Sequence, residues 1–188
     1  SENEVQQPAP RNGGLGAMWR GLTSPQRKRI GALGLYFLLL AIAFIQPLTG
    51  LVALAADSEL NSHIPLIPII SGYLLLIKRQ ALTRDYSSST IGSVILGGIG
   101  LAALAVGVWL RGELSGNDYL TLLTLAFVCL VATGGFLFLG AKWMTGAAFP
   151  VAFLIFLVPL PDGLVNQLET ASKLASAEVA DWYFAITS

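Results

Sequence analysis

The chain has 188 residues, of which 54% are hydrophobic and 12% charged, about half the charged share of a soluble domain. Eleven basic residues balance eleven acidic ones, which gives no basic face for a nucleic acid partner. A single cysteine, Cys129, excludes an intrachain disulfide and a cysteine-based metal site, and no pattern calls for a metal or a cofactor.

The apolar residues come in blocks separated by charged or Gly/Ser-containing joints, the pattern of a membrane protein. Residues 1–29 are polar, contain Pro8, Pro10, Gly13, Gly14 and Gly16, and end in Arg27-Lys28-Arg29, which predicts a flexible tail. The first apolar block, 30–56, is too long for a signal-peptide core and long enough to span a bilayer. Its Gln46-Pro47 predicts a kink, because proline removes one backbone hydrogen bond. A second span is expected at 63–77, although its apolar core is short for about 30 Å of hydrocarbon. Pro65 and Pro68 fit only near a first turn, which puts the start of that helix near His63.

The third span is expected at 91–110. There Gly98 with Ala102, and Ala103 with Gly107, are small residues four apart, and they predict a central helix approached closely on more than one side. Spans at 119–139 and 143–160 follow; the latter is interrupted by Pro150 and closed by Pro159 and Pro161. Positive charges alternate along the joints. Arg11, Arg20, Arg27, Lys28 and Arg29 precede the first span, Asp57 and Glu59 follow it, and Lys78, Arg79 and Arg84 follow the second. Arg111 stands against Glu113 and Asp118 after the third span, and Lys142 follows the fourth. Read as topology signals, they predict a cytoplasmic N-terminus. Beyond Pro161, Leu164, Leu168, Ala171, Ala175, Val179 and Trp182 recur at helical spacing among Gln167, Glu169, Lys173, Glu178 and Asp181. This predicts that 162–188 is an amphipathic helix on the outer surface, either lying on lipid, where its acids disfavour anionic headgroups, or packed against the rest of the protein. The expected fold is therefore all-α: a polytopic transmembrane bundle of five spans plus an outer interfacial helix, its first partner the lipid bilayer. The start at Ser1 and the stop within a helical pattern suggest a piece of a longer protein, and the oligomeric state is left open.

Chemistry-bearing residues are few. Cys129 lies in the apolar run Ala126-Phe127-Val128-Cys129-Leu130-Val131, where a low-dielectric surrounding disfavours a thiolate, and reads as a packing residue. His63 falls at the outer mouth of the second span, where it either marks the boundary or contacts a ligand on that face. Asp162 reads as the cap of the last helix after a proline stop, with an outer-face contact as the functional alternative. Charge is otherwise missing inside the spans, which argues against an ion or proton path.

Two stretches carry a resemblance. Phe149-Pro150-Val151-Ala152-Phe153-Leu154-Ile155-Phe156-Leu157-Val158-Pro159-Leu160-Pro161-Asp162-Gly163 is an apolar run closed by prolines and an acid. Upstream, Asn61-Ser62-His63-Ile64-Pro65-Leu66-Ile67-Pro68 leads through Tyr73-Leu74-Leu75 to Lys78-Arg79. Both resemble the exosortase and archaeosortase family of integral membrane cysteine transpeptidases, with Ile64 where the family often has Gly and Ile77 where it often has Trp. The resemblance implies the N-terminal part of an enzyme of the bacterial inner membrane. Such an enzyme cleaves exported proteins at a C-terminal sorting signal of the Pro-Glu-Pro type. It further implies that the catalytic Cys, Arg and His lie beyond Ser188, so no catalytic residue is assigned here. The alternative is a polytopic transport or scaffold protein without peptidase activity.

Overall fold

The computed structural model describes residues 24–57, 63–78 and 88–187, and these form helices and turns with no strand. The expected span at 30–56, with its kink at Gln46-Pro47, is broken into helix α1 (Ser24–Ala43) and helix α2 (Ile45–Asp57), which meet at 65°. The cause is Pro47. It has no N–H for the carbonyl of Ala43 and its ring crowds that carbonyl, so the helix breaks one turn ahead of the proline. The amides of Phe44 and Leu48 still reach the carbonyls of Leu40 and Phe44 at 3.0 Å, which keeps the joint ordered. The expected tail 1–29 is also corrected at its end. Ser24-Pro25 is a helix-start signal, and it draws Arg27, Lys28 and Arg29 into α1. Residues 1–23 of that expected tail lie outside the described residues.

Helix α3 (Leu66–Lys78) follows a turn in which the Leu66 amide bonds the His63 carbonyl at 3.0 Å and the Ile67 amide bonds that of Ile64 at 3.2 Å. Its 13 residues reach roughly 20 Å at 1.5 Å per residue, less than the hydrocarbon thickness. Arg79 and Arg84, expected as topology signals, lie outside the described residues.

Helices α4 (Thr90–Trp109) and α5 (Gly116–Phe138) are each long and apolar enough to cross a membrane, and they form the most extensive helix pair. The face of α4 that meets α5 carries Ser93, Gly100 and Gly107, seven residues apart, with Ala103 between them. A heptad of small residues keeps one seam of a helix on its partner. A Cβ placed on Gly100 would lie 3.1 Å from the Cβ of Cys129 and 3.2 Å from the carbonyl oxygen of Ala126. Gly98, by contrast, has open space around it, and Ala102 is exposed. The expectation of a third helix approached from several sides is thereby corrected: α4 packs on one side, and the central helix is α5.

From α5 the chain turns at Gly140, whose φ of 90° favours glycine, and runs back as α6 (Ala141–Gly146), α7 (Ala148–Phe153) and a 3-10 turn (Leu154–Leu157). The expected helix 143–160 is therefore broken. Pro150 leaves the carbonyl of Gly146 without its donor, and Pro159 and Pro161 bias Val158 and Leu160 away from helical geometry. Helix α8 (Asp162–Thr187) then leaves at 85° to the segment Ala148–Leu157. By length and composition the described residues offer two crossings, or up to four if each bent pair counts as one, against the five expected.

Three elements run antiparallel to α5. On α1, Tyr36 donates to the Leu130 carbonyl at 2.8 Å and Phe44 meets Phe127. On α4, Gly92 faces Phe136 and Gly107 faces Leu122. On the return segment, Met144 lies against Gly135, Leu157 packs with Val128 and Pro159 meets Thr121. Two apolar clusters fill the joints. One joins Leu40, Phe44, Ala103 and Ala126; the other joins Leu51 and Ala55 of α2 to Ile64, Ile67, Val128 and Leu157. In lipid such clusters cohere by close packing and by hydrogen bonds, since no water is released when they form. The antiparallel arrangement gathers Arg27, Lys28, Arg29 and Lys142 at the Phe138 end of α5, and Glu113, Asp118 and Asp162, with Arg111 over the Tyr119 ring, at its Gly116 end.

Candidate functional site

The densest polar constellation among the described residues lies at the acidic end, where the start of α5 meets the turn before α8. Ser115 caps α5: its Oγ accepts from the Asp118 amide at 3.1 Å. The same hydroxyl donates to Oδ2 of Asp162 at 2.5 Å, so one side chain closes a helix end and holds a residue 47 positions away. Asn117 Nδ2 donates to the Leu160 carbonyl at 2.7 Å and to Oδ1 of Asp162 at 2.8 Å. In the reverse direction the Asp162 amide donates to Oδ1 of Asp118 at 2.8 Å. One turn deeper, the buried Thr121 hydroxyl is shared between the carbonyls of Asn117 at 2.9 Å and Pro159 at 3.1 Å.

This clasp exists because prolines cannot finish a helix. Extended backbone at 158–161 leaves carbonyls without intrahelical donors, and in an apolar surrounding each must find a partner. Asn117 and Thr121 supply the partners for Leu160 and Pro159. The Pro161 carbonyl is taken by the amides of Leu164 at 3.0 Å and Val165 at 3.1 Å, which start α8. Asp162 thus has a different task from the one expected. Its carboxylate is committed to Ser115 and Asn117 rather than to capping its own helix, and it locks two elements together. It still stands in the first turn of α8, where negative charge suits the helix dipole.

His63 is exposed in the turn before α3, and among the described residues no hydrogen bond joins it to Asp162. The neighbouring Ile64 is buried against Leu157, which places the His63 turn over the packed half of the bundle nearest the clasp. Cys129 is buried in the α4–α5 seam, away from the clasp, which fits a packing role. Lys78 and Lys142 are exposed, as are Arg27, Lys28 and Arg29. No cluster of three or more metal-ligating side chains is assembled among the described residues.

Of this site only Asp162, Pro159 and Pro161 stood out in the sequence. Ser115, Asn117 and Thr121 were not singled out, and Asp118 counted only as an acid set against Arg111. A signal was present: Ser115-Gly116-Asn117-Asp118 has the form of a capping box ahead of an apolar run. It would have started the fourth helix at Gly116 instead of 119.

A family model described as transmembrane exosortase (Exosortase_EpsH) matches residues 55–188, from the end of α2 through α8. No curated protein and no solved structure matches the chain.

Proposed function

Because the chain belongs to the transmembrane exosortase family, we propose that it forms the membrane-embedded scaffold of a protein-sorting transpeptidase. The substrate class is an exported protein whose C-terminal tail carries a Pro-Glu-Pro type motif, an apolar span and basic residues. The supporting observation is the family match, which contains the whole return segment and the clasp at Ser115, Asn117 and Asp162. The basic end of the bundle faces the cytoplasm of a bacterial inner membrane by the positive-inside rule, and the clasp lies on the outer face.

In this reading a cysteine thiolate adds to the scissile carbonyl, the amide C–N bond breaks, and the departing amine takes up a proton. The resulting thioester is resolved by an acceptor amine or by water. Cys129 is not that nucleophile, since it is buried in a helix seam out of reach of an outer-face substrate. The Cys, Arg and His required by the reading are sought in the parent chain beyond Ser188. The role of the present residues is to fix the outer ends of the helices between which the substrate tail would lie.

The test is to reconstitute the parent protein with such a substrate and to read its mass. A shortened product is expected, unaffected by Cys129→Ala and abolished by substitution of a cysteine outside residues 1–188. Solute flux into vesicles with the substrate left intact would overturn the proposal in favour of a transporter.

A further inference from the structure

Helix α8 has no partner within the described structure: beyond Val165 every described residue is exposed, including Leu168 at 58%, Val179 at 67% and Trp182 at 72%. We infer that α8 lies in the outer leaflet boundary of a zwitterionic bilayer, with its apolar stripe among the acyl chains. The inference is independent of peptidase activity; its outer side rests on the orientation proposed above, and the rest on three observations.

The first is direction. The return segment runs along α5 over its whole length, from Met144 against Gly135 to Leu160 against Asn117, so Ala148–Leu157 follows the axis of the spans. A turn of 85° from that axis lays α8 parallel to the bilayer surface. The second is depth. The clasp ties Asp162 to Ser115 and Asn117, so α8 begins at the level where α5 leaves the hydrocarbon. Its 26 residues then extend roughly 39 Å sideways from the clasp.

The third is the distribution of side chains. At 100° per residue, Leu164, Leu168, Ala175, Val179, Trp182 and Ile186 fall in one sector about 60° wide, while Asn166, Glu169, Thr170 and Lys173 fall opposite. Leu174 and Phe184 lie outside the stripe. Toward the C-terminus Ala177, Ala180 and Phe184 stand opposite the stripe, but four acids and a lysine within the 26 residues suit a surface position and not a span. Charge selects the lipid: Glu169, Glu178 and Asp181 outweigh Lys173, whose Nζ is already paired with Glu169 at 2.5 Å, so anionic headgroups are disfavoured. Phosphatidylethanolamine or phosphatidylcholine fits this face.

The experiment is a nitroxide scan of α8 in the full-length protein carrying Cys129→Ala and alanine in place of every other cysteine, reconstituted in phosphatidylethanolamine–phosphatidylcholine liposomes. Single cysteines at Leu164, Leu168, Ala175, Val179 and Ile186 are compared with cysteines at Asn166, Thr170, Lys173 and Ala177, all exposed positions that leave the packed bundle untouched. The ratio of oxygen to nickel-chelate accessibility should be several-fold higher on the first set and oscillate with a period near 3.6 residues, with depths of about 5–10 Å. High nickel access all round would place α8 in water. Low access to both reagents on the stripe would show a protein partner, whether a second copy or another segment. High oxygen access on all faces would make α8 a span. Each of these three results overturns the inference.

Discussion

Replacing Asp162 by alanine removes the acceptor for Ser115 and for one of the two bonds of Asn117, while the Asn117–Leu160 and Thr121–Pro159 contacts survive. A hydrogen bond to a charged partner contributes about 1.5–3 kcal/mol when well shielded. Ser115 is exposed and Asp162 half-buried, so about 1 kcal/mol each is the appropriate figure, about 2 kcal/mol in all. At 1.4 kcal/mol per decade, local opening of the turn rises about thirtyfold. Hydrogen exchange of the protein in nanodiscs reads this directly at the amides of Asp162, Leu164 and Val165, which are bonded in the turn. The Asp162→Asn variant keeps an acceptor oxygen without the charge and should fall between, near tenfold by the same conversion. Protection at Ser93, Gly100 and Gly107 should not change, because the α4–α5 seam shares no contact with the clasp. Exchange at Asp162, Leu164 and Val165 within twofold of the unaltered protein, or equal loss of protection in α4, would refute the view that this carboxylate fastens the turn.

Three further outcomes are expected. Gly100→Ala should lose about 1 kcal/mol in detergent unfolding, since its Cβ presses on the Cβ of Cys129 and on the Ala126 carbonyl by more than the helix propensity of alanine offsets. Gly100→Val should lose about 1–3 kcal/mol, because the Ala126 carbonyl cannot move aside; a valine variant as stable as the parent would contradict the close approach. Tyr36→Phe removes the hydroxyl that bonds the Leu130 carbonyl and should cost about 0.6 kcal/mol by the same assay, with no loss indicating that the bond adds nothing in lipid. Finally, in a background with alanine at Cys129 and at every other cysteine, a cysteine at Lys142 should be labelled by an impermeant thiol reagent only from the cytoplasmic side and one at Gly116 only from the outside. The reverse pattern would invert the proposed orientation.

The sequence by itself determined the solvent and the class of fold. Long apolar blocks demand backbone groups satisfied within each segment, which in lipid means helix, and all the regular elements described are helical. It also determined where helices stop. Pro47 and Pro150 forbid a bond to the carbonyl four residues earlier, and the breaks fall there, at Ala43–Phe44 and Gly146–Ala147. What the tertiary structure alone decided is which side of each helix has a partner. Gly98 with Ala102, and Ala103 with Gly107, look alike along the chain, yet Ala103 and Gly107 are buried and Gly98 and Ala102 are exposed, because the seven-residue spacing from Ser93 through Gly100 to Gly107 keeps a single seam on α5. The clasp was equally hidden. Asp162 is more than 40 residues from Ser115 and Asn117 in sequence, and nothing local tells a carboxylate to hold another helix rather than cap its own. The pairing arises only when the return segment runs the length of α5 and brings the unsatisfied carbonyls of a proline-stopped turn against the first turn of that helix.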